Sequence, residues 1–282
     1  MTNQATAANA ALLEIARDIA LEAGALAALR RAEGVEVAET KSSAVDVVTH
    51  ADREVEAFIR RRLAEARPGD GFVGEESADS ASTTGLTWIV DPIDGTVNYL
   101  YGIPQYAVSI AVVEGDPDPE TWNTLAGCVV NPAIGEVFTA FQGGGAHLAS
   151  PTSSRALRVN TGIELGQALF ATGFSYTAET RIRQGQVLAG IVGRVRDIRR
   201  GGSAALDLCF LAAGRYDAYG ERGLNAWDHA AGALIAREAG ARVGGFGASA
   251  ESTRFLLAAE ESLAVQLEPI LFDLYTAAGL PT

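Results

Sequence analysis

The chain has 282 residues and a formal net charge of −13, with 48% hydrophobic and 20% charged residues. This length suits one large domain or two closely packed halves, and the composition is that of a folded globular protein. The negative charge repels nucleic acid and anionic membranes at long range, so we expect neither as a partner. The sequence contains no apolar run long enough to predict a membrane span.

The cysteines and the N-terminus indicate the compartment. Cys128 and Cys209 lie in apolar segments and lack the paired spacing of a zinc or redox motif. We interpret them as reduced thiols of a cytoplasmic protein. The first residues carry Glu14, Arg17 and Asp18 instead of a basic region followed by an apolar one. They therefore do not resemble a secretory signal.

Helices are predicted first, and strands follow. Apolar residues recur at helical spacing across residues 9–31, which predicts an amphipathic helix. A second helix is predicted from Thr49, where Thr49 and Asp52 have the spacing of a capping box, and residues 67–70 end it. From Phe72 onward, short apolar runs separated by Gly, Pro, Asp and Asn predict strands. These strands are predicted at residues 72–74, 88–90, 106–113, 125–130 and 136–141.

After about residue 155 the pattern alternates between strands and helices. A strand at residues 168–172 precedes a helix across 179–195, and further helices are predicted at 203–213, 227–239 and near the C-terminus. Helices, then antiparallel strands, then alternation predict a layered α/β chain. We expect one compact domain over residues 1–282, with halves of roughly 1–155 and 156–282.

Two carboxylates in one turn form the most informative motif. The apolar residues 88–90 lead directly to Asp91, Pro92, Ile93 and Asp94. Pro92 fixes its φ and has no N–H, so the chain turns sharply and both carboxylates can converge on one point. Their repulsion is relieved by a divalent cation, and hard cations such as Mg²⁺ prefer oxygen ligands. The N–H groups of the next two residues begin a short helix and suit a phosphate oxygen.

Other acidic residues occur in similar surroundings. Glu75 and Glu76 follow an apolar strand, and Asp228 follows Trp227 at the start of an apolar helix. Alone, Asp228 is typical of a carboxylate that caps a helix N-terminus. Together with Asp91 and Asp94, these residues indicate a metal site.

Several motifs resemble those of the inositol monophosphatase family. Three of them occur in the family's order: Gly74-Glu75-Glu76, Asp91-Pro92-Ile93-Asp94-Gly95-Thr96 and Trp227-Asp228-x-Ala-x-Gly232. Lys41-Ser42-Ser43-x-x-Asp46-x-Val48-Thr49-x-x-Asp52 and Arg199-Arg200-x-Gly202-Ser203-Ala204-Ala205-Leu206-Asp207-Leu208 also resemble the family pattern. The similarity runs from about Leu12 to Ala259.

This resemblance implies both fold and activity. The implied fold is α/β (α+β), a layered αβαβα sandwich of the inositol monophosphatase and fructose-1,6-bisphosphatase type. The implied activity is Mg²⁺-dependent, Li⁺-sensitive hydrolysis of a small phosphate monoester by a metal-activated water, in a homodimer. Two Mg²⁺ ions per active site are implied, with a third as an open alternative.

The resemblance also implies roles for individual residues. Asp91 would bridge two Mg²⁺ ions, whose other ligands are Glu75, the backbone carbonyl of Ile93, Asp94 and Asp228. Thr96, held by Asp52, would orient the attacking water and deprotonate it together with Glu75. Substrate would contact Gly95, Thr96, Gly202, Ser203, Ala204 and Glu221.

The roles of three positions are less closely specified: Glu221, Glu76 and Lys41. Glu221 would accept hydrogen bonds from substrate hydroxyls, or would only pair with Arg222 or another surface cation. Glu76 would touch the third ion through water. Lys41 would sense the phosphate charge or hold the loop near Glu75, or it is a solvated surface lysine.

The substrate is less closely specified than the chemistry. Val97, Asn98 and Tyr99 follow the turn as in inositol phosphatases, so inositol 1-phosphate is the predicted substrate. Histidinol phosphate, fructose bisphosphate, NADP and 3′-phosphoadenosine nucleotides are alternatives, since Gly220 and residues 222–226 depart from the eukaryotic pattern. A haloacid dehalogenase mechanism is rejected because its second Asp lies two residues after the first, whereas here the separation is three. A non-enzymatic alternative is a docking protein in transcription or ribosome assembly.

Overall fold

A computed structural model describes residues 3–35, 37–40 and 47–282. The helices are α1 (Asn3–Glu33), α2 (His50–Ala66), α3 (Thr96–Tyr101), α4 (Ala178–Ile191), α5 (Ala204–Ala212), α6 (Ala226–Glu238) and α7 (Glu261–Ala277). The strands of the N-terminal half are β1 (Val37–Thr40), β2 (Val47–Thr49), β3 (Gly71–Gly74), β4 (Leu86–Asp94), β5 (Ala107–Glu114), β6 (Asn123–Asn131), β7 (Glu136–Phe141), β8 (Gly145–Ser150) and β9 (Ser153–Ala156). Those of the C-terminal half are β10 (Leu169–Ala171), β11 (Asp197–Arg199), β12 (Ala218–Glu221), β13 (Arg242–Gly244) and β14 (Leu256–Ala259).

The strands form two large sheets and one small one. Seven strands, β3 to β9, follow one another in chain order, and all neighbours are antiparallel except β3 and β4. Five strands form the second sheet in the order β11-β10-β12-β14-β13, with β10 parallel to both of its neighbours. The short strands β1 and β2 pair separately.

Alternating side chains on the strands explain why the sheets are covered on both faces. On β5, Val108, Ile110 and Val112 pack with α1 and α2, whereas Ala111 and Val113 pack with α5 and α6 on the other face. This is the two-residue alternation of a strand that is buried on both sides.

The second sheet is covered in the same way. Tyr219 and Ala258 belong to the core shared with α5 and α6, and Phe170, Ala218 and Leu257 pack with α4 and α7. The order of layers is therefore α1/α2, seven strands, α5/α6, five strands and α4/α7. This confirms the predicted αβαβα fold.

The structure corrects some predicted bounds. The helix expected across residues 179–195 ends at Ile191, because residues 192–196 must return the chain to the edge of the sheet, where β11 pairs with β10. Strand β4 extends beyond the predicted residues 88–90 to Asp94, with an irregularity between Asp91 and Asp94. Within the described ranges no helix is long and apolar enough to cross a membrane.

Candidate active site

The end of β4 and the start of α3 position the first two carboxylates. The Asp91 Oδ1 atom accepts a hydrogen bond from the backbone N–H of Ile93 at 3.0 Å, which closes the predicted turn. Gly95 then caps α3 with φ of 92°, a value that favours glycine. A Cβ atom at Gly95 would lie 3.0 Å from the backbone oxygens of Gln105 and Gly202. The turn is therefore restricted to glycine by both its φ and its close neighbours.

Asp94 connects this turn to the N-terminus of α5. Its Oδ2 atom accepts hydrogen bonds from the Ser203 hydroxyl at 2.5 Å and from the backbone N–H of Ala205 at 2.7 Å. Ser203 is also the N-cap of α5, where its Oγ accepts from the N–H of Leu206. Ser203, a predicted substrate contact, and Ala205 thus orient a carboxylate of the other half of the chain.

Asp228 contributes a third carboxylate from the first turn of α6. Its Oδ2 atom accepts a hydrogen bond from the backbone N–H of Asn225 at 2.6 Å. Asn225 is the N-cap, and Asp228 is the third residue of the helix. Ligand atoms of Asp91, Asp94 and Asp228 all lie within 4.8 Å of one another. Asp228 therefore belongs to the capping structure and to the acidic cluster at the same time.

These carboxyls are difficult to ionise without a cation. Burial raises the pKa of Asp91 and Asp228 well above its ordinary value, and repulsion from neighbouring carboxylates adds to the rise. Burial also raises the pKa of Asp94 to about 6, against the opposing effect of the hydrogen bonds from Ser203 and Ala205. A divalent cation would offset both the burial of these charges and their mutual repulsion, since it favours the charged form of each carboxyl. The donor set consists of oxygens, which fits a hard cation.

The acidic cluster lies in a cavity of about 380 Å³. Most of the predicted site residues line it: Glu75, Asp91, Ile93, Asp94, Gly95, Thr96, Gly202, Ser203, Ala204, Glu221 and Asp228. Asp52 and Glu76 do not line it. Lys41 lies outside the described residues, as does most of the motif that begins with it.

Asp52 reaches the cavity through Thr96. The Thr96 hydroxyl lies 3.3 Å from Asp52 Oδ1 and 3.2 Å from the carbonyl oxygen of Ile93. The Asp52 Oδ2 atom accepts hydrogen bonds from the N–H and hydroxyl of Thr49 at 2.7 and 2.5 Å, which confirms the predicted capping box. Burial raises the pKa of Asp52 to about 7 although the bonds from Thr49 oppose this. A buried acceptor thus lies directly behind the Thr96 hydroxyl.

A carboxylate that the sequence did not reveal holds the loop with Glu75 and Glu76. Glu56 on α2 is buried, and its Oε2 atom accepts a hydrogen bond from the backbone N–H of Glu76 at 2.7 Å. A Cβ atom at Gly74 would lie 2.5 Å from the same oxygen. The only sequence signal is a charged residue beside Val55 on the apolar face of a predicted helix.

Glu221, at the end of β12, also lines the cavity. Its Oε2 atom accepts a hydrogen bond from the Tyr219 hydroxyl at 2.6 Å, and burial raises its pKa to about 7. The guanidinium of Arg222 donates instead to the carbonyl oxygens of Arg254 and Pro281. Glu221 therefore does not pair with Arg222, whereas the positive charge of Arg200 favours the ionised form of Glu221.

Sequence reasoning also missed part of the cavity wall. Arg200 and residues 173–177, the loop between β10 and α4, line the cavity as well. Arg200 belongs to a recognised motif but had no predicted role. The loop had no signal beyond its position after a strand.

Comparison with known proteins agrees with this geometry. The model of the Inositol monophosphatase family matches residues 8–275. Inositol-1-monophosphatase SuhB of Mycobacterium tuberculosis is 47% identical over 248 residues, which cover 83% of each chain. The solved structure of Mycobacterium tuberculosis SuhB matches with a TM-score of 0.79 and 44% identity, and the match covers 94% of this chain and 97% of that one. Nus factor SuhB of Vibrio cholerae is 39% identical over 236 residues, 81% of this chain and 84% of the relative.

The family match spans nearly the whole chain and includes every carboxylate of the cavity. The matching fold places those carboxylates where two halves of the molecule meet. The chain therefore belongs to the inositol monophosphatase family and is a phosphoric monoester hydrolase.

Proposed function

We propose that the chain hydrolyses inositol 1-phosphate to inositol and phosphate in a reaction that depends on Mg²⁺. The observation that carries this proposal is the cluster of Asp91, Asp94 and Asp228, whose ligand atoms lie within 4.8 Å of one another in a cavity of about 380 Å³. The names of the inositol monophosphatase relatives support the substrate.

The acidic cluster fits Mg²⁺. One oxygen of each carboxylate is oriented by a protein donor: Ile93 N–H for Asp91, Ser203 and Ala205 for Asp94, and Asn225 N–H for Asp228. Asp91, Asp94 and Asp228 would together hold the Mg²⁺ ions. Glu75 and the carbonyl of Ile93, which line the same cavity, would complete the protein ligands. That carbonyl has two lone pairs, so the Thr96 hydroxyl does not prevent it from binding metal.

When bound, Mg²⁺ supplies the Lewis acid that neutralises the phosphate and leaving oxygens and makes water more acidic. The protein supplies position and a path for the proton. Thr96 Oγ1 accepts a hydrogen bond from the attacking water while its own hydrogen points to Asp52 Oδ1. Glu75 lines the same cavity and is the second acceptor for the water proton. Both carboxylates are placed before the substrate binds.

The rest of the cavity holds the phosphate and the alcohol. The N–H groups of Gly95 and Thr96 face the phosphate oxygens, and Gly202, Ser203 and Ala204 line the wall beside the alcohol. Glu221 accepts hydrogen bonds from the ring hydroxyls. Its hydrogen bond from Tyr219 fixes the carboxylate for this purpose.

A kinetic panel tests the proposal directly. Phosphate release is measured from inositol 1-phosphate, histidinol phosphate, fructose bisphosphate, NADP and a 3′-phosphoadenosine nucleotide, each with Mg²⁺ and with chelator. We expect the highest kcat/KM for inositol 1-phosphate and no turnover in excess chelator. Turnover that persists in chelator would refute the metal mechanism, and a higher kcat/KM for another ester would refute the substrate.

Three other predictions from the sequence stay predictions. A homodimer and a cytoplasmic location are tested by sedimentation and by fractionation. A third ion near Glu76 is tested by metal titration. The name of the Vibrio cholerae relative is the reason to test a docking role in transcription as well, by pulldown from lysate.

A further inference from the structure

The strand ends that border the cavity bring Gly173 beside Glu221. Strands β10 and β12 are parallel neighbours, with Ala171 paired to Tyr219. Two residues further along the chain lie Gly173 on one side and Glu221 on the other. The Thr172 hydroxyl donates at 2.7 Å to the backbone carbonyl of the residue before Glu221, which keeps the strand ends together beyond the paired residues. Gly173 and Glu221 both line the cavity.

The carboxylate of Glu221 occupies the space that a side chain of residue 173 would fill. A Cβ atom at Gly173 would lie 2.1 Å from both carboxylate oxygens of Glu221 and 2.2 Å from the carbon between them. Non-bonded atoms do not approach this closely, so the carboxylate and a side chain at position 173 exclude each other. Gly173 is not among the glycines with positive φ. Space, and not backbone conformation, therefore restricts this position.

The carboxylate is held over Gly173 by its other neighbours. Tyr219 lies two residues before Glu221 on the same strand and so on the same face, and its buried hydroxyl donates to Glu221 Oε2 at 2.6 Å. Burial disfavours the ionised form of Glu221, and the positive charge of Arg200 favours it. Displacing the carboxylate would leave the Tyr219 hydroxyl without its acceptor, which costs more than the bond contributes.

The backbone on either side of Gly173 is fixed as well. Thr172 is bound to β11 through its N–H and to β12 through its hydroxyl. The N–H of Ser175 donates to the buried side chain of Gln184 on α4 at 2.8 Å. A methyl group at position 173 would therefore displace the Glu221 carboxylate, which is the end of a flexible side chain, more easily than the backbone.

We propose that Gly173 is a positioning residue for Glu221 and thereby determines which alcohols the cavity accepts. Because Gly173 has no side chain, the carboxylate lies back against the wall and leaves room for a polyol ring. A larger residue at this position would push the carboxylate into the cavity and away from the Tyr219 hydroxyl. This inference rests on the proposed function, because it requires ring hydroxyls to contact Glu221.

Four proteins test the inference: the wild type, Gly173→Ala, Glu221→Ala and the double variant. Phosphate release from inositol 1-phosphate and from p-nitrophenyl phosphate is measured for each with Mg²⁺, and the Tm is measured without substrate. We expect Gly173→Ala to lower kcat/KM for inositol 1-phosphate by about ten- to a hundredfold, since a misplacement of about 1 Å in a site has effects of this size. The loss for p-nitrophenyl phosphate should be smaller, because this ester has no ring hydroxyls.

The comparison of the two backgrounds distinguishes positioning from a general structural effect. Overpacking against the carboxylate should lower the Tm of Gly173→Ala by about 2–10 °C. In the Glu221→Ala background no carboxylate is displaced. There the same substitution should change kcat/KM by less than about twofold and leave the Tm unchanged or slightly higher.

Gly193→Ala is the matched control. Gly193 also lacks a positive φ, lies outside the cavity lining, and a Cβ atom there would meet nothing within 4 Å. This substitution should lower neither kcat/KM nor the Tm.

Each outcome decides the inference. A loss that disappears in the Glu221→Ala background supports it, as does a Gly173→Ala chain that folds only in that background. Wild-type values for Gly173→Ala, a loss of the same size in both backgrounds, or equal losses on both substrates would overturn it. Failure of Gly173→Ala to fold in either background would also overturn it, because the glycine would then serve the backbone. Wild-type protein that does not hydrolyse inositol 1-phosphate would instead refute the proposed function, while the Tm values still test the contact.

Discussion

Asp94→Asn separates the roles that a metal ligand plays in stability and in catalysis. The amide keeps the shape of the side chain, and its oxygen can still accept hydrogen bonds from Ser203 and Ala205. What it removes is one negative charge within 4.8 Å of ligand atoms of Asp91 and Asp228. Two unit charges at that separation repel by about 3.5 kcal/mol at an effective dielectric of about 20.

The two effects of this substitution have opposite signs. Without metal, loss of two repulsive pairs stabilises the variant by about 7 kcal/mol if all three carboxyls are ionised, and by less where the neighbouring carboxyls are protonated. Even about 1 kcal/mol raises the Tm by about 2–4 °C. With metal, we expect kcat to fall more than about 100-fold, because residues that only support metal ligands already cost about 10–100-fold when changed.

Thermal melts with chelator and with saturating Mg²⁺, together with kcat at saturating Mg²⁺, measure both effects. Asp273→Asn is the control, since it removes the same charge from an exposed position on α7. It should change neither the melting behaviour nor kcat. An Asp94→Asn variant with near wild-type kcat at saturating Mg²⁺ would show that Asp94 is not a ligand.

The remaining predictions concern the hydroxyl, the polyol contact, the pH dependence and the metal. Thr96→Ala should lower kcat by about 10²–10⁴-fold with little change in KM, and Thr96→Ser should restore most of it; a raised KM with kcat intact would make Thr96 only a phosphate contact. Glu221→Gln should lower kcat/KM for inositol 1-phosphate by about ten- to a hundredfold and leave p-nitrophenyl phosphate hydrolysis nearly unchanged; equal losses on both would exclude a polyol contact. Burial raises the folded-state pKa of Asp52 to about 7 and of Asp94 to about 6, above the unfolded value of about 3.9. The folded state therefore binds more protons than the unfolded state between these pH values, and its stability falls as pH rises. Metal-free protein should melt at a lower temperature at pH 8 than at pH 5, and Mg²⁺ should largely remove this difference in Tm. A Tm of metal-free protein that rises with pH would contradict this. Ca²⁺ should replace Mg²⁺ poorly in the activity assay because it is larger and less regular in coordination, and Li⁺ should inhibit.

The acidic cluster could be predicted because its residues sit at the ends of regular elements. Asp91 and Asp94 follow a strand with a clear apolar pattern, and Asp228 lies in the first turn of a clear helix. The same local patterns predicted the layered fold and most helices and strands. Local patterns succeed here because the spacing of apolar residues within each helix or strand is enough to identify that element.

Other features depend on contacts between distant residues, and no local pattern reveals them. Glu56 holds the loop of Glu76 across 20 positions of sequence. Helix α4 ends at Ile191 because β11 must reach the edge of a sheet that only the folded chain forms. Arg200 lines the cavity and packs on Gly202, a contact that depends on that glycine's φ of +90°. In each case the cause lies in tertiary packing.

The cavity lies where the two halves of the chain are joined by buried polar contacts. Asp94 accepts from Ser203 and Ala205 across more than 100 residues. Nearby, the amide of Asn98 donates to the carbonyl oxygens of Gln105 at 2.7 Å and Gly201 at 2.9 Å. A buried donor or acceptor that loses its partner costs more than the bond contributes, so these contacts enforce one relative position of the halves. The hydrogen bonds that orient Asp94 toward a metal therefore also fix the N-terminus of α5 beside it, which is why the walls of the cavity are built before substrate arrives.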